Sequence, residues 1–202
     1  GGMGVLVFLL AIAPGGKDSG FTMHLLRAES PGPDVGKLVP KMRLTAIILY
    51  VLYIALTIID FIFLLCGNMP VLEALCTAFG TAGTGGFGVY NDSLTSCTPY
   101  IQNVTTVFMF LFGVNFSCYY LLLLRQFRSV LKDEELRAYA GIVLLAIVVI
   151  MLNIRHLYGS WGETLRHSAF QVSSIITTTG YTTADYELWP ALSKGVILGL
   201  MV

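Results

Sequence analysis

Apolar residues come in long blocks along this chain. Residues 44–66 (LTAIILYVLYIALTIIDFIFLLC) carry one charge in 23 positions, and residues 101–124 (IQNVTTVFMFLFGVNFSCYYLLLL) carry none. Residues 138–154 (AYAGIVLLAIVVIMLNI) are also uncharged. About 20 apolar residues in a helix cross the hydrocarbon of a bilayer, within a range of roughly 17–25. The first two blocks are long enough and the third is at the lower limit, so three spanning helices are expected. Residues 1–13 and 191–202 are apolar but shorter, and read as parts of two more.

Two shorter helix-like stretches lie between these blocks: PVLEALCTAFGT at 70–81 and ETLRHSAFQVSSIIT at 163–177. At 1.5 Å per residue they reach only about 18–22 Å, too little to span. Pro70 suits a first helical position, and Ser160 with Glu163 forms a capping-box pattern. Each stretch runs into a polar, glycine-broken segment, TAGTGGFGVYND at 81–92 and ITTTGYTTADYE at 176–187. A short helix followed by irregular backbone, set between spanning helices, reads as a re-entrant hairpin. Non-helical backbone survives at membrane depth only where it is buried in protein or lines a water-filled path. The polar segments are therefore expected to line something.

The order repeats. Arg43 and Arg137, each just before a long block, are 94 residues apart, and so are Gly86-Phe87 and Gly180-Tyr181. Two independent landmarks with one offset indicate a duplicated unit. Phe79 and Phe170, similar in their surroundings, are 91 apart, which places a small insertion or deletion within the short helix. If each long block crosses once, segments 14–43 and 125–137 share one side. They hold nine of the twelve Lys and Arg residues; Arg155, Arg166 and Lys194 are the others. An excess of Lys and Arg marks cytoplasmic loops, so the threonine-glycine segments face outward.

The residue types of those segments suit a dehydrated cation, which needs oxygen ligands. Backbone carbonyls supply them without buried carboxylates. Aiming successive carbonyls one way needs positive φ, which glycine adopts without steric cost; this assigns Gly85, Gly86 and Gly180. Threonine adds a hydroxyl oxygen and a stiff side chain. The short helices direct their partially negative C-terminal ends to the same place, and Phe87 and Tyr181 are expected to pack behind the segments.

Composition narrows the alternatives. The chain is 55% hydrophobic and 12% charged, against about 25% charged in soluble domains. Its 12 basic and 12 acidic residues balance, so no basic surface points to nucleic acid. His24, His156 and His167 are scattered, without a nucleophile pair or metal-ligand spacing, so no enzyme is expected. Ser173-Ser174, on a short helix, are not placed for nucleophilic attack. Cys118 reads as a small buried hydrophobe, whereas Cys66, Cys76 and Cys97 leave a disulfide open. Asp60 lies late in its block and is expected near the outer interface, paired with a polar group. Asn115 and Ser117 are expected to bond across helices.

The motifs HLLRAESPGP (24–33), GTGGF (83–87), GVNFSCYYLLL (113–123), DEELRAY (133–139) and FQVSSIITTTGYTTADYELWP (170–190) resemble the TrkH/KtrB/HKT superfamily of potassium transporters, the TrkH branch above all. The resemblance covers essentially the whole chain. It implies an all-α integral membrane fold built from M1–P–M2 repeats like those of a potassium channel, with re-entrant pore helices and filter loops. On that pattern residues 1–13 end a spanning helix of repeat one and 14–43 form a cytoplasmic loop. Residues 44–124 form the second repeat, 125–137 another cytoplasmic loop, and 138–202 the third repeat, cut within its M2. The filter positions carried over are Thr84, Gly85, Gly86 and Phe87, with Thr178, Thr179, Gly180 and Tyr181, and their ligand is potassium. A glycine at the position of Gly86 and Gly180 goes, in this family, with potassium preference. Further implications are a bacterial cytoplasmic (inner) membrane location, contact with lipid, a homodimer, and a TrkA-like cytoplasmic nucleotide-binding regulatory subunit. Two segments do not enclose an ion, so the remaining repeats of the same polypeptide are expected. The alternative is a truncated channel-like or structural subunit that must oligomerise to form a pore.

Overall fold

The computed structural model describes residues 42–123, 125, 130 and 133–201, without the side chains at 42–46, 117 and 120. The expected end of a spanning helix at 1–13, the loop 14–43 apart from its last two residues, most of the loop 125–137, and the side chain of Ser117 lie outside the described residues. The described residues are helical and contain no strand. The chain divides into two compact units within the first helix, between Leu56 and Thr57. The described part of the first unit is the helical stretch 42–56. The second unit, from Thr57 onward, holds the rest of that helix and all the later elements.

Helix α1 covers Met42–Cys66 and helix α5 covers Glu134–Ile154. Both contain stretches long and apolar enough to cross a membrane, 20 residues at Ile47–Cys66 and 21 at Glu134–Ile154. At 1.5 Å per residue each extends about 30 Å, the thickness of the hydrocarbon core. Asp133 caps α5, its carboxylate accepting the Leu136 amide at 3.0 Å. The cap lets the helix start ahead of the apolar block, on charged residues.

Each long helix leads into one of re-entrant length. Helix α2, Val71–Ala82, has 12 residues, with Pro70 just outside at the N-cap and not at the first helical position. Helix α6, Trp161–Ile176, has 16 residues, and the Ser160 side chain accepts the Glu163 amide at its start. The two helices end 94 residues apart, at Ala82 and Ile176. Their starts, Val71 and Trp161, are 90 apart, so α6 is longer by one turn at its beginning. The register is therefore unbroken at the C-terminal ends. Phe79 and Phe170 are not equivalent: Phe79 is exposed and Phe170 is fully buried.

The block 101–124 does not form one spanning helix. Helix α3, Pro99–Gly113, stops at Val114, which is extended at ψ 140°. Helix α4 resumes at Phe116–Leu123. Such a break frees carbonyls that need donors when buried. The Tyr139 phenol donates to the Phe110 carbonyl at 3.3 Å, and the Tyr119 phenol to the Leu111 carbonyl at 2.7 Å. Gly113 permits the approach, since a Cβ there would lie 2.3 Å from the Tyr139 oxygen. Asn115 bonds across to Glu135 of α5 at 3.1 Å, as an interhelical contact. The chain closes with α7, Ala191–Leu200. It packs on α5, where Asn153 donates to Ser193 at 2.7 Å.

Two apolar clusters hold these elements. Leu64, Ala74, Ala78, Ile101 and Met109 join Phe170 and Tyr181, so the core of the earlier repeat contains residues of the later one. Val143, Ala146, Ile150 and Ile154 form one face of α5 against Val172, Trp189 and Ile197. All four cysteines are free, which removes the disulfide left open among Cys66, Cys76 and Cys97. Burial first, then the charges of Asp92 and Glu73, pushes the Cys97 thiol pKa up, away from the reactive thiolate.

Candidate selectivity filter

Both short helices end in the same turn. The Thr84 amide donates to the Thr81 carbonyl and the Gly85 amide to the Gly80 carbonyl, at 3.1 and 2.9 Å. Ninety-four residues on, the Thr178 amide donates to Ile175 and the Thr179 amide to Ser174, at 3.0 and 2.9 Å. This is the Schellman pattern, in which the residue just past the helix adopts a left-handed conformation. Glycine normally fills that position; here Thr84 has φ 49° and Thr178 has φ 57°. A β-branched residue there is an outlier, at a cost of about 1–2 kcal/mol. Strain of this kind, here at two equivalent positions, clusters at ligand-binding and switch sites.

Two residues later the backbone turns left-handed again, at Gly86 (φ 65°) and Gly180 (φ 88°). Gly85 is not in this region, so its expected role passes to Thr84. In each segment left-handed and other conformations alternate over three residues. That alternation redirects consecutive peptide groups without any helical or sheet pairing.

The two segments touch. A Cβ on Gly86 would lie 2.1 Å from the Thr179 carbonyl oxygen, so only glycine allows this approach. The Tyr181 phenol donates to the Phe87 carbonyl at 3.0 Å, and its hydroxyl end sits against Gly80 of α2. Beyond the segments, the Thr182 amide donates to the Ser93 hydroxyl at 3.0 Å, and the Leu94 amide to the Thr182 carbonyl at 3.1 Å. Behind the second segment, Thr177 and Thr179 share a hydroxyl bond of 2.8 Å. His167 meets the Thr183 hydroxyl at 3.0 Å and stacks on Tyr158.

The structure thus brings Gly86, Phe87, Thr179, Gly180 and Tyr181 together, with Thr84, Gly85 and Thr178 in the turns that lead to them. It separates the two aromatics, which were expected to behave alike. Tyr181 is 1% exposed and Phe87 is 82% exposed. The seat of Tyr181 is the helix of the preceding repeat; the corresponding seat for Phe87 is not among the described residues. Gly80 and Ser93 had no sequence signal of their own, and Ser174, weighed only as a nucleophile, stands 94 residues after Gly80. Asp60 also departs from expectation. It is fully buried, and both carboxylate oxygens lack a hydrogen-bond partner among the described residues. It shares its helix face with the buried Leu64 four residues on, which turns it into the protein.

Comparison with known proteins agrees with this architecture. The family described as TrkH, cation transport protein, matches residues 1–202. The chain is 33% identical over 207 residues to the Trk system potassium uptake protein TrkH of Salmonella typhimurium, covering 98% of this chain and 42% of that protein. It is 34% identical over 209 residues to the protein of that name from Vibrio parahaemolyticus, with the same coverage. The crystal structure of the potassium transporter TrkH from Vibrio parahaemolyticus superposes with a TM-score of 0.77 at 26% identity, over 98% of this chain and 40% of that one. The chain thus spans about two fifths of the length of these relatives, and its fold is the all-helical M1–P–M2 architecture of a membrane transporter. The chain belongs to the TrkH family of cation transport proteins.

Proposed function

We propose that this chain supplies two of the carbonyl-bearing segments of a potassium filter, in a multi-pass uptake protein of the bacterial cytoplasmic (inner) membrane. The observation that carries this reading is the duplicated turn: left-handed Thr84 and Gly86 in one segment, left-handed Thr178 and Gly180 in the other. Each follows a short helix whose C-terminal end is partially negative. Thr84 to Phe87 and Thr178 to Tyr181 would offer carbonyl and threonine hydroxyl oxygens in place of a potassium ion's hydration shell. The relatives' names specify potassium uptake by a Trk system.

In this reading ions enter from the outer side, lose water at the oxygens and move inward. An inside-negative potential gives each charge about 2.3 kcal/mol per 100 mV, enough to drive uptake without a co-transported ion. The remaining repeats of the same polypeptide complete the ring, lipid covers the outward apolar faces, and the protein works as a homodimer. A TrkA-like nucleotide-binding subunit meets the cytoplasmic loops. The test is Gly180→Ser in the full-length protein, measured as competing potassium and sodium uptake. Weaker preference for potassium is expected, because a side chain at φ 88° must distort the segment. Unchanged preference sinks the assignment of this segment.

A further inference from the structure

The carbonyl that follows each central glycine is held in a different way. In the second segment the Tyr181 carbonyl accepts the Ser174 hydroxyl, from its own short helix, at 2.6 Å. In the first segment the residue 94 earlier than Ser174 is Gly80, which has no side chain. The Phe87 carbonyl accepts instead from the Tyr181 phenol, at 3.0 Å. The other carbonyl near that phenol, Thr77, is farther, at 3.4 Å, and already accepts the Thr81 hydroxyl at 2.8 Å. The Phe87 carbonyl is the acceptor that depends on the phenol.

We propose that the Tyr181 hydroxyl is a positioning group for the first segment, a staple between repeats that stands in for the serine its own repeat uses. This rests on the filter reading and adds which atom sets the first segment's geometry. The closeness of position 80 to the Phe87 carbonyl supports the substitution of one donor for the other. A Cβ built on Gly80 would lie 2.8 Å from the Phe87 carbonyl oxygen, so residue 80 is the nearest point of α2 from which a side chain could reach it, though closer than a side-chain carbon normally comes. It would also lie 2.1 Å from the Tyr181 hydroxyl oxygen but 3.2 Å from Cζ, the ring carbon that bears it. Removing the phenol oxygen clears the closest of these contacts, and a side chain at 80 then needs the Phe87 peptide to shift by a few tenths of an ångström. Tyr181 occupies this seat fully buried, consistent with a fixed donor and not a mobile one.

The test uses the full-length transporter, with potassium and sodium uptake in competition as the readout and thermal stability as the control. Tyr181→Phe keeps the ring and removes the donor; a loss of discrimination of roughly 3- to 10-fold is expected, the range for one hydrogen bond. Gly80→Ser with Tyr181→Phe restores a hydroxyl beside the Phe87 carbonyl and is expected to recover part of the loss, net of the strain its Cβ adds. Gly80→Ala with Tyr181→Phe adds the same Cβ without the hydroxyl and is expected not to recover it. Should Tyr181→Phe fail to assemble, Ser174→Ala probes the equivalent bond and is expected to reduce discrimination to a similar degree. Wild-type discrimination in Tyr181→Phe, or equal rescue by serine and alanine, overturns the staple. Gly180→Ser separates the two levels. If it loses preference while Tyr181→Phe keeps it, the filter stands and the staple falls; if neither loses it, the filter reading itself falls.

Discussion

The two segments share a backbone and differ in sequence. The first reads Gly83-Thr84-Gly85-Gly86-Phe87 and the second Thr177-Thr178-Thr179-Gly180-Tyr181. Glycines at 83 and 85 are matched by threonines, so neither place requires glycine for its conformation. The identical positions are Thr84 with Thr178 and Gly86 with Gly180, and these four are the ones with positive φ. At one position the fold uses the residue that avoids strain, and at the other it keeps a residue that incurs it. The comparison separates a position where the backbone takes the residue that relieves a left-handed conformation from one where threonine sits in it despite the strain.

The largest expected effect is at Gly86. Alanine there is strained at φ 65° and sets its Cβ 2.1 Å from a backbone oxygen that cannot swing away. Gly180→Ala is strained at φ 88° but meets nothing within 4 Å. Gly86→Ala is expected to destabilise the protein by more than the roughly 1–2 kcal/mol of left-handed strain alone, and to abolish uptake. Gly180→Ala is expected to stay near that range and to retain partial uptake with reduced preference. Thermal unfolding and ion uptake of both variants check this. Equal damage at the two positions would break the asymmetry read from the contact with Thr179.

Next comes Thr178→Gly. Relief of left-handed strain and the larger backbone entropy lost by glycine on folding nearly offset, each about 1 kcal/mol. Stability is therefore expected to change little, while potassium preference falls with the loss of the hydroxyl and the stiff side chain. A variant with full preference would show that the threonines serve the helix end and not the ion. Gly85→Thr, which copies Thr179 into the first segment, should have a smaller effect. An added Cβ at 85 meets only the edge of the Phe87 ring, at 3.0 and 3.3 Å, and that ring is exposed and able to move.

Much of this arrangement was legible because it depends on local sequence. Chain length and apolarity mark α1 and α5, and the 94-residue spacing of Gly86 and Gly180 marks the two turns. What was not legible depends on partners far along the chain. Nothing within 101–124 announces a break at Val114, because the donors that make it tolerable include Tyr139, on the next spanning helix. The unlike fates of Phe87 and Tyr181 follow from which neighbouring helix supplies a seat, and Gly80 gains its meaning only when the Tyr181 hydroxyl sits against it. Gly85 misled for a simpler reason: glycine permits positive φ but does not require it.

The smallest effect is expected at Asp60, where the repeats also differ. The residue 94 further on is Ile154, and both are fully buried. One repeat therefore fills this place with an apolar side chain and the other with a carboxyl that has no hydrogen-bond partner among the described residues. An ionised carboxylate without a partner is costly to bury, and a neutral group much less so. Asp60→Asn replaces the carboxyl with a neutral group of the same shape. It is expected to leave thermal stability within about 1 kcal/mol and uptake near wild type. A loss of several kcal/mol, or of uptake at unchanged protein level, would mean that Asp60 carries its charge in the working protein. The two repeats would then differ in electrostatics as well as in the donor that holds each segment.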